Sequence, residues 1–513
     1  MKFKGYTLSK EQLQAMRLYS EIEVGSPLVI DAGAGASKTF TCNAIVSMLC
    51  ATKKVLVLAF NSIIVEEMRE SFPANVTVET THALARRKTK PYRNEKLQTP
   101  LTSRVVANVL DLPNRIFGLS QYEFSATLIK AINAYSVSSE DDLQTFIESN
   151  ASLFKVAQQS DVTGAIVEYA IQLWEKMTDR TSPCPVTHDV YLKEFVLLVK
   201  SGVIKLDYDL VVLDEAQDTV PIVKQFVELL NIKNIIVGDK FQSIYEWRNA
   251  VNVMQGYMNS GATVTRLTTC YRFGPEIAQL SNALIKQYYG EDPKFIGNPN
   301  KSSTIHTSAN REPCEPSLML FRTNAELMAS LVESVDKGEK CCLLKNKKES
   351  LSLIDDAARL HKGQRVTRGI MSAFESWYEF EQYTKSPNGS ELRTFFKTVE
   401  MYGFSKMRSI IATTSDMPIE SATLVFATAH STKGIEFDNV VIAGDFDAYI
   451  ERAQGKEKLQ EINLLYVALT RAIKTLDISQ CSTLMRLLKQ KVMNTLAETT
   501  MAKKRDAVSA LFG

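Results

Sequence analysis

Four short aliphatic runs in the first half of the chain each end on residues suited to binding or catalysis, and this arrangement limits the fold more than any other feature. They are Pro27-Leu28-Val29-Ile30-Asp31, Val55-Leu56-Val57-Leu58-Ala59-Phe60, Leu210-Val211-Val212-Leu213 and Asn234-Ile235-Ile236-Val237-Gly238. None shows the alternation of a strand with one wet face, so each is expected to be buried on both faces, as in a parallel sheet covered by helices. A later set repeats the pattern: Ser317-Leu318-Met319-Leu320-Phe321, Leu424-Val425-Phe426-Ala427-Thr428 and Asn439-Val440-Val441-Ile442-Ala443. Two α/β lobes are the economical arrangement. Helix-like, more polar stretches at 90–194 and 346–417 read as insertions.

Length and composition are compatible with this: 513 residues, 45% hydrophobic and 23% charged, suit a globular chain of several domains. The net charge is only +2, so a polyanion has to be held by a locally basic groove. The eight cysteines include no CxxC pair, and Cys341 and Cys342 are adjacent, which matches neither a secreted disulfide framework nor a zinc knuckle. A reduced, intracellular setting is expected. The opening MKFKGYTLSKEQ lacks the apolar run of a signal peptide, and no stretch approaches the roughly 20 apolar residues of a membrane span. The expectation is a soluble protein without a membrane partner.

The first run leads into Ala32-Gly33-Ala34-Gly35-Ala36-Ser37-Lys38-Thr39 and then a helix-like stretch, Phe40 to Leu49. Small residues let backbone N–H groups close around phosphates, a lysine reaches the β and γ phosphates, and a threonine hydroxyl can ligate Mg²⁺. Two positions depart from that motif: Ala32 stands for its first glycine and Ser37 for the glycine before Lys38. A plain small-residue turn is the competing reading. The run at 210–213 ends in Asp214-Glu215-Ala216-Gln217-Asp218. A carboxylate at the C-terminal end of such a strand sits where ligands bind, so Asp214 can hold Mg²⁺ while Glu215 polarises the attacking water. The next run ends in Gly238-Asp239-Lys240-Phe241-Gln242-Ser243-Ile244-Tyr245-Glu246-Trp247-Arg248, which can bring an amide, an aromatic ring and a cation to one nucleotide.

With these segments in order, the chain resembles the UvrD-like helicases of superfamily 1, and among them the F-box DNA helicase branch and its bacterial and phage relatives, although no F-box is expected ahead of the motor. The matching segments run from Leu8 to Ala472. Leu8 to Ala15 resembles the adenine-reading Q motif. Ala59-Phe60-Asn61 with Glu67-Met68, and Thr80-Thr81-His82, resemble motifs that contact DNA. Asp214 to Asp218 is similar to the DEAQD box, and Tyr271-Arg272, Arg322-Thr323-Asn324, Thr428 to Asp438 and Leu465 to Ala472 resemble later motifs.

The resemblance implies an α/β fold of two RecA-like P-loop NTPase lobes with parallel sheets, each carrying a mostly helical insertion. Residues 1–89 and 195–258 would form the first lobe, 90–194 its insertion, 259–345 and 418–490 the second lobe, 346–417 a small second insertion, and 491–513 a tail with no room for a nuclease. It implies ATP and Mg²⁺ as cofactors. Gln12 would read the base, Tyr271 would stack on it, Glu436 would hold the ribose, Gln242 would sense the γ-phosphate, and Arg272 and Arg471 would stabilise transition-state charge. Phe60 and Trp247 would stack on bases of single-stranded DNA, with Asn61, Thr81, His82, Arg248 and His430 near the strand. Tyr245 serves equally well as a stacking platform or as core, and each histidine as a strand contact or a structural residue. The basic stretch Arg86-Arg87-Lys88 with Lys90, Tyr92 and Arg93 either lines the strand's path or is a solvated face. Phe40 stands where many relatives carry an arginine, and the interval from Arg272 to Thr428 is short for the family.

The expected activity is that of an ATP-driven helicase moving 3′ to 5′ on single-stranded DNA and at single/double-strand junctions, in replication, recombination or repair. Single-strand-binding or recombinase proteins are the protein partners this implies. The competing readings are a translocase that strips proteins from DNA with little unwinding, and an ATP-gated DNA-binding protein with weak turnover. Intact Glu215, Gln242, Arg272 and Arg471 argue against the latter.

Overall fold

All seven aliphatic runs fold as strands. The computed structural model describes residues 1–59, 61–92, 101–154, 160–246, 251–308, 316–344, 346–366, 369–385 and 390–490. The first six-stranded sheet contains β1 (Pro27–Ala32), β2 (Val55–Ala59), β3 (Val76–Thr80), β4 (Leu210–Leu213), β5 (Lys233–Gly238) and β6 (Thr263–Leu267), in the order β6-β1-β5-β4-β2-β3. The second contains β7 (Thr304–His306), β8 (Ser317–Phe321), β9 (Cys341–Leu343), β10 (Leu424–Thr428), β11 (Phe437–Ile442) and β12 (Ala472–Asp477), in the order β7-β12-β11-β8-β10-β9. Every pairing within the two sheets is parallel. The fold is therefore α/β with two RecA-like lobes.

Burial on both faces explains the aliphatic runs. Leu28, Ile30, Val55, Val57, Leu210, Val212, Ile235 and Val237 face one layer, packed with α1 (Lys10–Glu21) and α2 (Lys38–Leu49). The alternate residues Val29, Leu56, Leu58, Val211, Leu213 and Ile236 face the other, in a core that continues into the first helical insertion. A fully buried side chain of this size stabilises by roughly 1.5–3 kcal/mol, so the two layers tie the helices firmly to the sheet. The second sheet has the same construction, with Leu318, Leu320, Val425, Ala427, Val440 and Ile442 on one face and Phe321, Leu343, Leu424 and Phe426 on the other.

Because the strands are parallel, the chain leaves them all at the same edge. It passes from β1 into Gly33, from β2 toward Asn61, from β3 into Thr81, from β4 into Asp214 and from β5 into Asp239. Residues far apart in sequence thus meet along one edge of the first lobe, the usual ligand-binding side of an open α/β sheet.

The first insertion contains helices Ser103–Val109, Gln121–Val137, Leu143–Ser149 and Ser160–Thr178. Between β9 and β10 lie helices Lys347–His361, Trp377–Lys385, Ser390–Tyr402 and Phe404–Ser415, with a small core of Ala357, Leu360, Met371, Phe374 and Phe380. Two of the boundaries drawn from sequence are corrected. Thr263–Leu267 pairs with Leu28–Ala32, so the first sheet extends past residue 258, and helix His188–Lys200 runs without a break across position 194. Both corrections have one physical cause: a hydrogen-bonded strand or helix continues as far as its backbone partners do. No helix among the described residues is long and apolar enough to cross a membrane.

Candidate active site

The loop after β1 is built around close backbone approaches. Gly35 has φ +69°, and a Cβ there would lie 2.7 Å from Arg272 Cβ and 2.8 Å from the Cys270 sulfur. A Cβ on Gly33 would lie 2.5 Å from the Phe295 ring. Ser37 takes φ 58° and ψ 43°, a left-handed conformation that costs a residue with a Cβ about 1–2 kcal/mol, and its side chain makes no capping bond to α2 in return. This is the position where the phosphate-loop motif has glycine. The local geometry thus keeps what the motif requires, while the sequence carries a residue that strains it.

Gly35, Ala36, Ser37, Lys38 and Thr39 line a cavity of about 430 Å³ between the lobes. Asp214, Glu215, Gln242, Tyr271, Arg272, Glu436 and Arg471 line it too, so sequence-predicted residues from both halves of the chain converge there. Ala32, Gly33 and Ala34 do not line it. Ala32 is fully buried at the end of β1, Gly33 donates its N–H to Leu267, and the N–H of Ala34 goes to the Tyr466 hydroxyl at 3.2 Å. These contacts anchor the loop to the sheet and the second lobe. Gln12 is likewise absent from the lining. Its carboxamide accepts from Ser9 N in a capping box of α1 and donates to the Thr41 hydroxyl, which in turn donates to the Ser37 carbonyl.

Charge dominates the cavity wall. Lys38 Nζ lies 2.8 Å from Glu215 Oε1, Lys433 Nζ lies 3.0 Å from Glu215 Oε2, and Gln217 donates to that same oxygen at 2.6 Å. Burial acts to raise the Glu215 carboxyl, but the two lysines outweigh it and hold the group well below the usual carboxylate range. Asp214 is pushed up to about 6 by burial and then by the Glu215 charge. Glu215 has φ 52°, a second strained residue at the site. Gln242 is held in place by Asp239, which accepts from Gln242 Nε2 at 2.9 Å and from the Tyr466 hydroxyl at 3.0 Å.

Two arginines complete the wall. Arg272 donates to the Thr470 carbonyl at 2.7 Å and pairs with Glu436, while its buried Nε has no hydrogen-bond partner among the described residues. Arg471 is 2% exposed, donates to the carbonyls of Val467 and Ile435, and makes no ion pair among the described residues. Burial, and then the Arg272 charge, push its guanidinium down to about 9. An orphaned buried N–H and a buried cation without a carboxylate both fit an anionic ligand. Tyr271 is 39% exposed and lines the same cavity, where its ring can stack. The hard oxygens of Thr39 and Asp214 suit Mg²⁺, which keeps waters and substrate phosphates as its other ligands. Among the described residues no cluster of three or more His, Cys, Asp or Glu side chains could hold a metal ion by itself.

Several contributors were missed in the sequence. Lys433, within the stretch Thr428 to Asp438, lines the cavity, as do Asn61, Ile64, Glu67 and Lys301. Asn61 was expected on DNA, but it caps the helix Ser62–Ser71 and faces the nucleotide cavity. Glu11 accepts from the N–H groups of Thr268 and Thr269 and from the Thr268 hydroxyl, which fixes the segment leading to Tyr271 and Arg272. No sequence signal marks that contact.

The expected strand contacts are more scattered. Thr81 is buried at the start of helix Thr81–Thr89, and His82 Nε2 lies 3.1 Å from Asp189 Oδ1. Tyr245 is half-buried and donates to the His430 carbonyl at 3.1 Å, so the two meet across the lobes. Of the basic stretch, Arg87 is engaged with Glu79, while Arg86 and Lys90 are exposed. Phe60, Arg93, Trp247 and Arg248 lie outside the described residues, as does the tail at 491–513.

Residues 8–259 match the UvrD/REP helicase N-terminal domain and residues 370–483 match the UvrD-like helicase C-terminal domain. The chain belongs to the UvrD-like helicase family. It is 27% identical over 511 residues to F-box DNA helicase protein 1 of Schizosaccharomyces pombe, a match covering 92% of this chain and 57% of that protein. It is also 27% identical over 500 residues to F-box DNA helicase 1 of Gallus gallus, covering 90% of this chain and 48% of that one. The chain thus spans about half the length of these two relatives. A probable DNA helicase II homolog of Mycoplasma capricolum subsp. capricolum is 35% identical over 103 residues, 18% of this chain and 14% of its own length. Cavity residues from Gly35 to Gln242 fall in the first match and Lys433 to Ile473 in the second, while Tyr271, Arg272 and Lys301 lie between the two.

Two predictions follow from this site. Ser37→Gly removes the left-handed strain and should raise unfolding free energy by about 1 kcal/mol, whereas Ser37→Ala keeps the strain and should not; thermal unfolding of both variants beside the parent decides it. Burial raises the Asp239 carboxyl from 3.8 to about 6, so this group's contribution to stability is full below pH 3.8 and is lost as pH rises through 6. The stability difference between the parent and Asp239→Asn should therefore shrink as pH rises across that window, as read from unfolding midpoints; a flat difference would contradict the assignment.

Proposed function

We propose that this chain is an ATP-driven motor that moves 3′ to 5′ along single-stranded DNA and opens duplex ahead of it. The observation that carries the reading is the shared cavity: Lys38, Asp214, Glu215 and Gln242 come from the first lobe, and Glu436 and Arg471 from the second, with Arg272 on the crossover between them. A triphosphate held by both sides makes lobe closure depend on nucleotide, and hydrolysis with release reopens the cleft.

The residues have distinct tasks in this reading. Lys38 leaves Glu215 for the β and γ phosphates, and Glu215, no longer neutralised from that side, orients the attacking water and takes up its proton. Gln242, oriented by Asp239, reports the terminal phosphate. Arg272 and Arg471 stabilise charge developing on the transferred group. Thr39 and Asp214 would hold Mg²⁺, whose contribution when bound would be neutralisation of phosphate charge. Tyr271 stacks on the base, and Glu436 holds the ribose once Arg272 turns to phosphate.

Two relatives are named DNA helicases of the F-box type, which supports DNA as the track. The proposed direction is the one the UvrD-like resemblance implies, and Phe60, Trp247, Arg248, Thr81, His82, Tyr245 and His430 are the proposed strand contacts. Residues 90–194 and 346–417 are the elements that ride on the lobes. Single/double-strand junctions are the proposed substrate, with replication, recombination or repair as the setting and single-strand-binding or recombinase proteins as candidate partners.

Lys38→Ala should lose ATP binding and DNA-stimulated hydrolysis together, whereas Glu215→Gln should bind ATP and lose hydrolysis. Equilibrium binding of a fluorescent nucleotide beside a phosphate-release assay separates the two, and parent-like turnover in Glu215→Gln would remove the assigned base. On tailed duplexes under single-turnover conditions, a 3′ tail should support ATP-dependent opening far better than a 5′ tail; the reverse preference would overturn the direction.

A further inference from the structure

Lys433 reaches across the cleft. It follows β10 in the second lobe, yet its side chain is 6% exposed and its amine pairs with two carboxylates of the first lobe, Glu215 at 3.0 Å and Asp218 more closely still. It also approaches the Gln242 carbonyl at 3.4 Å. Both oxygens of Glu215 are thereby taken: Oε1 by Lys38, and Oε2 by Lys433 and Gln217. A carboxylate saturated by two cations is a poor base, because taking up a proton there has to displace a favourable charge pair.

Asp218 gives Lys433 a second resting place. It is buried and already fixed by the N–H groups of Ile244 and Tyr245, at 3.0 and 3.3 Å. Lys433 can therefore let go of Glu215 without becoming an unpaired buried cation, the outcome that would carry the large penalty. The same segment is joined to Tyr245: its hydroxyl holds the His430 carbonyl, three residues before Lys433, and the Lys433 amine lies 5.6 Å from the centre of its ring. Any ligand that moves Tyr245 or His430 moves the anchor of the lysine.

We propose that Lys433 masks Glu215 in the resting protein and tethers the lobes, and that a nucleic-acid strand binding at Tyr245 and His430 draws Lys433 onto Asp218 alone, freeing the base. Lys433 is then a positioning residue that makes hydrolysis wait for the track. The inference rests on the motor reading of the same cavity and adds the device that suppresses idle turnover.

The test compares phosphate release with and without saturating single-stranded DNA in the parent, in Lys433→Gln, and in Lys433→Gln combined with Asp218→Asn, which leaves no orphaned carboxylate and guards against misfolding of the single variant. Unmasking should raise the DNA-free rate by about fivefold, the scale of a modest coupling between sites, and lower the DNA stimulation ratio accordingly. A DNA-free rate at or below the parent's in both variants would overturn the mask. Energy transfer between dyes placed at exposed Glu70 and Lys456 should show a broader lobe separation without nucleotide in Lys433→Gln, and a distribution identical to the parent's would overturn the tether. If the parent itself shows no DNA-stimulated hydrolysis, the motor reading fails; the energy-transfer result still judges the tether.

Discussion

The cost of burying charge governs the junction between the lobes. Lys38, Glu215, Asp218, Lys433, Arg272 and Arg471 are all withdrawn from water, and each ion is tolerable there only while a partner of opposite sign or a set of fixed dipoles stands beside it. The partners are mostly on the other side of the cleft or on another strand's exit loop. Relative lobe position and charge pairing are consequently one variable, and a triphosphate, which brings several negative charges to the same place, necessarily redistributes the pairs. Arg471, which among the described residues bonds to two carbonyls and the Thr470 hydroxyl and to no carboxylate, and the Nε of Arg272, unpartnered among the same residues, mark where that redistribution has most to gain.

Two of the left-handed non-glycine residues stand at the same spot. Ser37 and Glu215 are both in the left-handed region, one at the entrance to α2 and the other just after β4. Neither has the freedom of glycine, so the surrounding contacts have to hold them: the Ser37 carbonyl is bonded by Thr41, and Glu215 is bonded by two lysines and Gln217. Strain held in this way aims the reacting side chains without waiting for ligand.

How far the fold could be read in advance depended on burial. The seven aliphatic runs are interior strands, where both faces are apolar and composition leaves no ambiguity. The strands that went unrecognised include all four sheet edges, Val76–Thr80, Thr263–Leu267, Thr304–His306 and Cys341–Leu343. Most of these, such as Thr263–Leu267 with its alternating exposed positions, mix polar and apolar residues because one side meets water or a loop. Missing that edge strand is also what put the lobe boundary at 258.

For the site, the residues with ordered motifs were legible: Lys38, Thr39, Asp214, Glu215, Gln242, Arg272 and Arg471 all reach one cavity. Residue type at a strand end determined that chemistry, since only a few side chains can neutralise phosphate, hold Mg²⁺ or orient water. Tertiary structure alone decided that Ala32, Gly33, Ala34 and Gln12 brace the loop, that Asn61 faces the nucleotide side, and that Glu11 and Lys433 act on residues more than two hundred positions away. A motif records which groups stand beside one another along the chain. Which buried polar group finds which partner is settled by the packing of two sheets against each other, and that packing places the Lys433 amine on Glu215 and Asp218 across the cleft.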